Sequence, residues 1–302
     1  MKKDLISTEN LSKSEILDLI KSAKEFKKLN KTAVKKVDLL KGVSVINAFF
    51  ENSTRTRTSF ELAAKRLGAD IINFSPSSSS TQKGETLIDT IKNIESMQSD
   101  FFVIRHFSSG VAKFVAKNTK AHVINAGDGC NEHPTQALLD IFTMQEKFGE
   151  IKGLNVAIIG DIFHSRVARS NIYALKKLGA NIRLFGPPMT LRWAEVFGCK
   201  ICKNIKEALD KVDCIIMLRI QLERQNNEVG YPSEYPKYFG LNLDNLKFAN
   251  KNALILHPGP VNRGVEMDSE VMDKYSSVFE QVENGVAMRM AVLKMLHNSK
   301  AK

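Results

Sequence analysis

No apolar run in the chain approaches the roughly eighteen residues that a membrane crossing needs, and Met1-Lys2-Lys3-Asp4 leads into no signal-peptide core. A cytoplasmic protein with no membrane partner is the expectation. Cysteine is scarce: Cys130, Cys199, Cys202 and Cys214 are the full set. Cys199 and Cys202 have C-x-x-C spacing, but no second pair or His-x-His group stands at a suitable distance, so reduced, mostly buried thiols are expected and no metal. The three-glycine dinucleotide fingerprint, the Walker loop, the G-x-S-x-G elbow, H-E-x-x-H and a recognisably spaced Cys–His pair are all absent. Those absences disfavour nucleotide, covalent and metal chemistry, and no cofactor is expected.

Acidic residues are fewer than basic ones, 33 against 44, for a net charge of +11. The excess is spread among many lysines rather than gathered with aromatics, which argues against nucleic acid as a partner. The densest cluster, Lys24, Lys27, Lys28, Lys31, Lys35 and Lys36, falls on and just after an amphipathic helix and reads as a solvated face. A small polyanionic substrate also suits a positive field.

What is present has the form of two soluble domains. At 302 residues, with 43% apolar and 25% charged residues, the chain can bury about two cores of ordinary size. Ser12-Lys13-Ser14-Glu15 has the form of a capping box, with Leu11 just before it and Ile16, Leu19, Ile20, Ala23 and Phe26 recurring after it at helical spacing. Strand-like runs at 43–50, 69–74, 101–105 and 121–125 then alternate with helical patterns ending at Gly68 and at 85–97, 110–118 and 134–148. Gly149-Glu150-Ile151-Lys152-Gly153 interrupts the pattern, and a second series begins with strands at 154–159, 181–185, 214–218 and 253–256 and helices at 165–178 and 205–209. This alternation predicts α/β architecture: two doubly wound parallel-sheet domains with the active site between them. The expected domains are 1–150 and 151–278, with a helix at about 279–302 packing back on the first. One low-complexity segment, Ser75-Pro76-Ser77-Ser78-Ser79-Ser80-Thr81, interrupts the first series.

Parallel sheets place ligands beyond the C-terminal ends of their strands, and Ser53-Thr54-Arg55-Thr56-Arg57 lies there, between a strand and the first turn of a helix. Backbone N–H groups, two hydroxyls and a forked guanidinium can grip a phosphate from several sides. A plain helix cap with solvated arginines is the competing reading, but two arginines at a helix start oppose the dipole and favour an anion nearby. The serine-rich loop ends in Gln82-Lys83-Gly84-Glu85, which can be a lid carrying one ammonium group or an exposed linker. Arg105 ends a strand at the same edge. His133-Pro134-Thr135-Gln136 opens a helix with proline at its first position; there the dipole favours a neutral imidazole that can donate to a carbonyl, or His133 is simply the cap. In the second half, Arg166 and Arg219 follow strands and suit a substrate with two carboxylates, unless Asp161 or Glu223 pairs with them. His257-Pro258-Gly259-Pro260-Val261-Asn262-Arg263-Gly264 forms a proline-fixed turn whose carbonyls can accept from an amine or amide.

Taken in order from Phe49 to Gly264, these segments resemble the aspartate/ornithine carbamoyltransferase family. Ser53 to Glu61 and His133-Pro134-Thr135-Gln136 match what the whole family shares. Lys83-Gly84-Glu85-Thr86, Leu218 to Arg224 and His257 to Gly264 resemble the aspartate branch; the ornithine branch typically carries a His-Cys-Leu-Pro turn whose cysteine is missing here. The resemblance implies that Ser53, Thr54, Arg55, Thr56, Arg105, His133, Gln136, Gly259 and Pro260 bind carbamoyl phosphate. Among these, Arg55, Thr56, Arg105 and His133 would be catalytic. It implies that Lys83, Arg166, Arg219 and Gln221 bind L-aspartate, and that the chain forms a homotrimer in which Ser79 and Lys83 reach a neighbouring subunit's site. Four serines compete for the Ser79 match. A dodecamer with regulatory or dihydroorotase chains is a further possibility of the family. The implied reaction is attack of the neutral aspartate amine on the carbamoyl carbon, an early step of de novo pyrimidine biosynthesis. Thr56, Arg105 and His133 would surround the oxyanion while Ser53, Thr54 and Arg55 neutralise the leaving phosphate. Another amine acceptor such as ornithine is the alternative, though its cationic side chain fits poorly beside Lys83, Arg166 and Arg219.

Overall fold

The computed structural model describes residues 3–74, 84–220 and 234–300; Ser79, Lys83 and Gln221 lie outside the described residues. The chain divides into two compact units, Met1–Leu139 with Val282–Lys302, and Asp140–Gln281.

In the first unit, α1 (Lys13–Asn30) starts at a complete capping box. Ser12 Oγ accepts from the Glu15 N–H at 3.2 Å, and Glu15 Oε2 accepts from the Ser12 N–H at 2.7 Å. Its Ile16, Leu19, Ile20, Ala23 and Phe26 form one buried face. Then follow β1 (Ser44–Phe49), α2 (Thr54–Arg66), β2 (Asp70–Phe74), α3 (Leu87–Ser96), β3 (Phe101–His106), α4 (Val111–Asn118), β4 (His122–Asp128) and α5 (Pro134–Phe148). The four strands pair in parallel in the order β2-β1-β3-β4. β1, β3 and β4 are buried almost throughout, as near-continuous apolar runs predict for strands covered on both faces. Ile46, Ala48, Phe102, Ile104 and Val123 pack with Ile91 of α3 and Val115 of α4.

The second unit holds β5 (Asn155–Ile159), α6 (Arg166–Leu178), β6 (Asn181–Phe185), β7 (Lys200–Ile201), α7 (Ile205–Leu209), β8 (Cys214–Met217), α8 (Tyr235–Phe239), α9 (Leu243–Leu246), β9 (Leu254–Leu256) and α10 (Ser269–Tyr275). Its sheet is also all parallel, in the order β7-β6-β5-β8-β9. The last helix, α11 (Val278–Lys300), begins in this unit, and its residues from Val282 onward belong to the first. There the Arg289 guanidinium lies over the Phe60 ring at 5.1 Å and donates to Ser59 Oγ at 3.1 Å, packing α11 against α2.

The units part within α5 rather than at the glycine-flanked break after it. Asp140 accepts from Asn171 Nδ2 at 2.8 Å and from Gln281 Nε2 at 2.7 Å, which ties the second half of α5 to α6 and to the start of α11. Elements missed by periodicity, namely β7 and α8 to α10, have two to seven residues, too few for a repeat to register. All four cysteines are free, and burial pushes the thiols of Cys199, Cys202 and Cys214 up. Among the described residues no helix is long and apolar enough to cross a membrane.

Candidate functional site

Each sheet reverses its winding once. In the first unit the reversal falls between β1 and β3, in the second between β5 and β8. At such a point neighbouring connections leave in opposite directions and open a crevice beyond the strand ends, where open α/β sheets bind ligands. The sequence-predicted residues cluster at both places.

Beyond β1, Ser53 is the N-cap of α2 in extended conformation, yet its hydroxyl caps no helix N–H, and the first turn carries no acidic residue. Thr54, Arg55 and Arg57 are exposed while Thr56 is buried. A helix end with an uncapping serine, no carboxylate and two guanidinium groups is arranged for an external anion.

Parallel register sets Arg105 against Phe49, so β3 delivers it to the same edge. Its Nη1 donates to the Ala126 carbonyl at 3.2 Å and its Nη2 to Glu51 Oε1 at 3.0 Å, with the side chain only 12% exposed. Two acceptors from different segments fix the guanidinium in one direction. Glu51 escaped the sequence reading: a carboxylate beside an expected phosphate grip looks misplaced until its pairing with Arg105 is seen. Next along β3, the buried His106 accepts from the Ser108 N–H at Nδ1 (2.9 Å), and burial pushes its imidazole below the ordinary value. It is a neutral ring at this edge, and only its adjacency to Arg105 marks it in the sequence.

His133 and Gln136 enter from the turn after β4. The His133 carbonyl accepts from the N–H groups of Gln136 (3.0 Å) and Ala137 (3.3 Å), so His133 opens α5, and both side chains are buried. The turn is knotted by Asp128, which is fully buried. Asp128 Oδ2 accepts from the Gly110 N–H at 2.7 Å, while Oδ1 accepts from Asn125 Nδ2 at 2.8 Å and the Glu132 N–H at 3.2 Å. At Gly129, whose φ is +49°, a Cβ would lie 2.4 Å from Ser109 Oγ, so only glycine permits this approach.

In the second unit, β5 ends at Gly160, where φ is +128° and an added Cβ would stand 3.0 Å from Leu218 Cβ. That glycine lets the exits of β5 and β8 close on each other. His164 pairs through Nδ1 with the buried Asp161 at 3.0 Å, and Ser165 then caps α6 by accepting from the Ala168 N–H at 3.1 Å. Arg166, first residue of α6, is 5% exposed in a turn without acidic residues. Arg219 is half-buried just past β8. Beyond β9, Gly259 donates to His257 Nδ1 at 2.7 Å; Gly259 is half-buried and Pro260 exposed. Among the described residues no group of three or more His, Cys, Asp or Glu side chains is placed to hold a metal.

The first unit thus gathers Ser53 to Thr56, Arg105, His133 and Gln136 on the C-terminal side of one sheet. The second gathers Arg166, Arg219, Gly259 and Pro260 on the same side of the other. Comparison with known proteins agrees with this division. Residues 3–146 match the model of the aspartate/ornithine carbamoyltransferase carbamoyl-P binding domain, and residues 152–296 match the Asp/Orn binding domain of the same family. A relative from Campylobacter fetus subsp. fetus, an aspartate carbamoyltransferase catalytic subunit, is 64% identical over all of this chain and 99% of its own. The aspartate transcarbamoylase of Trypanosoma cruzi, solved with carbamoyl aspartate and phosphate, superposes with a TM-score of 0.85 at 30% identity, covering 96% of this chain and 94% of that one. The ornithine carbamoyltransferase of Pyrococcus furiosus superposes almost as well, with a TM-score of 0.83 at 30% identity over 96% and 95% of the two chains. Backbone likeness therefore does not separate the acceptors, whereas both domain matches and full-length identity agree on the larger group: the chain belongs to the aspartate/ornithine carbamoyltransferase family.

Proposed function

We propose that this chain transfers the carbamoyl group of carbamoyl phosphate to the α-amino group of L-aspartate, giving N-carbamoyl-L-aspartate and phosphate. The observation that carries the reading is the start of α2, where Ser53 makes no side-chain cap hydrogen bond and the first turn, which carries Arg55 and Arg57, holds no acidic residue. Such an end takes a dianionic phosphate without further adjustment. For the acceptor, the support is the 64% identity to an aspartate carbamoyltransferase catalytic subunit, together with Arg166 and Arg219, whose cationic forks complement two carboxylates.

The amine lone pair attacks the carbamoyl carbon, an N–C bond forms, and the carbonyl oxygen takes up negative charge. Thr56, Arg105 and His133 are its stabilisers; Arg105, held by Glu51 and the Ala126 carbonyl, needs no reorganisation as the charge develops. The bond between the carbamoyl carbon and the bridging oxygen then breaks, and that oxygen leaves with the phosphate. Ser53, Thr54 and Arg55 receive the departing phosphate, which itself takes the amine proton, so no protein base is required. Gln136, Gly259 and Pro260 address the carbamoyl amide, and Lys83 and Gln221 join Arg166 and Arg219 on aspartate. The assembly in this reading is a cytoplasmic homotrimer serving pyrimidine synthesis, with Ser79 and Lys83 contributed by the neighbouring subunit. A larger complex with regulatory or dihydroorotase chains would build on that trimer.

A colorimetric assay for carbamoylated product, run in parallel with aspartate and ornithine, tests the reading. Turnover with aspartate alone is expected; turnover with ornithine alone would overturn the acceptor assignment, and none with either would overturn the reaction. Native mass measurement tests the trimer.

A further inference from the structure

One buried carboxylate in the second unit has no place in the reaction just described. Glu266 is fully buried. Its Oε1 accepts from the Ile220 N–H at 3.0 Å and from Asn262 Nδ2 at 2.7 Å. Its Oε2 accepts from the Asn262 N–H at 2.7 Å and faces His257 Nε2 at 3.7 Å. Because His257 Nδ1 already accepts from the Gly259 N–H, the ring proton of a neutral His257 sits on Nε2, toward the carboxylate. Burial opposes ionisation of Glu266, but the His257 ring, the Ile220 N–H and Asn262 outweigh it and hold the carboxyl below its usual range. The backbone of Glu266 is fixed as well: its carbonyl accepts from the Leu241 N–H at 2.9 Å, and the adjoining Met267 bridges both Leu241 and Arg263.

The partners fall on two separate segments. Ile220 directly follows Arg219 on the exit from β8, while His257 and Asn262 bracket the turn containing Gly259 and Pro260 after β9. We propose that Glu266 is a positioning residue that sets the Arg219 segment and the His257–Asn262 turn in one register, and that affinity for the acceptor depends on it. This rests on the reading of the chain as an aspartate carbamoyltransferase. Glu266 does not touch substrate in this account; it acts through the Ile220 backbone on Arg219 and through His257 on Gly259.

The donor set makes the proposal unusually strict. An amide in place of the carboxylate must put its NH2 group at one of the two oxygen positions. At the Oε1 position it meets the Ile220 N–H, and at the Oε2 position the Asn262 N–H. A backbone donor cannot turn round, so Glu266→Gln breaks one side of the clamp in either orientation, despite its nearly equal volume.

The experiment is steady-state kinetics of the full chain carrying Glu266→Gln, with thermal melting to establish that it folds. The expected result is a rise of about tenfold or more in KM for aspartate, as for loss of a hydrogen bond to a charged group. A smaller change, about threefold or less, is expected in KM for carbamoyl phosphate, whose contacts lie mainly in the first unit. Glu266→Asp, which keeps the charge, should recover part of the loss. A folded Glu266→Gln enzyme with its aspartate KM within about twofold of the parent would overturn the proposal, as would equal increases in both KM values. Should Glu266→Gln not fold, Asn262→Ala removes one donor from the same oxygen that Ile220 uses. A same-sign, smaller rise in aspartate KM is then expected, and an unchanged value overturns the proposal. Failure of the parent enzyme to carbamoylate aspartate would instead count against the functional reading itself.

Discussion

In the first unit the winding reverses between β1 and β3, and in the second between β5 and β8, so both offer a crevice at the same place on the same kind of sheet. They furnish it differently. The first unit presents cations outward at its crevice: Arg55 and Arg57 are exposed on the first turn of α2, while Arg105 is held by Glu51 from the adjoining segment. The second unit keeps Arg166 buried and Arg219 half-buried, and the Arg219 segment is fixed by Glu266, which stands 46 positions away in sequence. A phosphate carries its charge to whatever helix end it meets, and an open cradle suffices. Choosing one amine acceptor among several demands groups that cannot relax toward the wrong one, which long-range anchoring supplies.

The strongest way to break this contrast is at the exposed end. Arg55→Ala should lower kcat by about 10²- to 10³-fold, the scale seen when a preorganised charge stabiliser is removed. Because Arg55 is exposed, the melting temperature should stay within about 2 °C of the parent. Near-normal turnover would end the phosphate role of α2, and a large drop in melting temperature would show that the residue serves the fold. Arg219→Ala comes next. Loss of a charge-assisted contact to a carboxylate should raise KM for aspartate by about 10- to 100-fold while direct binding of carbamoyl phosphate is retained. An unchanged aspartate dependence, or equal loss of both substrates, would erase the distinction between the two units.

How much of this was legible in the sequence follows from the same contrast. Ser53 to Arg57 and His133 to Gln136 are contiguous, so their residue types and their helix-opening position could be read together. The parallel sheets were legible for a similar reason: Val103 and Ile158 sit in apolar runs bounded by turns. Asp128 and Glu266 were not legible. Asp128 takes its donors from Gly110, Asn125 and Glu132, and Glu266 from Ile220 and Asn262. In one dimension each is an ordinary acidic residue in a loop, and only folding brings the backbone N–H groups that make it necessary. Glu51 shows the converse, a neighbour of the motif whose sign looked wrong for the site until Arg105 arrived from β3.

Asp128 gives a smaller and more general test, since it anchors the turn leading to His133 much as Glu266 anchors its own. In Asp128→Asn the amide NH2 faces the Glu132 N–H in one orientation and the Gly110 N–H in the other, so one backbone donor is left unsatisfied. Urea unfolding should report a loss of about 1–3 kcal/mol. If the midpoint does not move, the carboxylate is not what holds the turn, and the parallel with Glu266 fails.

The smallest expected effect has the opposite sign. The Tyr235 hydroxyl is buried with no hydrogen-bond partner among the described residues, and the site Gly160 leaves open for a Cβ is 3.1 Å from it. Burial, with the charges of Glu266 and Asp161 adding to it, pushes the phenol far up, so it remains protonated. A buried donor left unpaired among the described residues costs the fold its lost hydration. Tyr235→Phe removes the oxygen and keeps the ring that packs on Phe239 at 5.3 Å; it should therefore stabilise the unliganded chain by about 1 kcal/mol and raise the melting temperature by about 2–4 °C. A fall in melting temperature would mean that the hydroxyl contributes favourably to the unliganded fold, and the second unit would then be anchored by one more polar contact than the clamp at Glu266 implies.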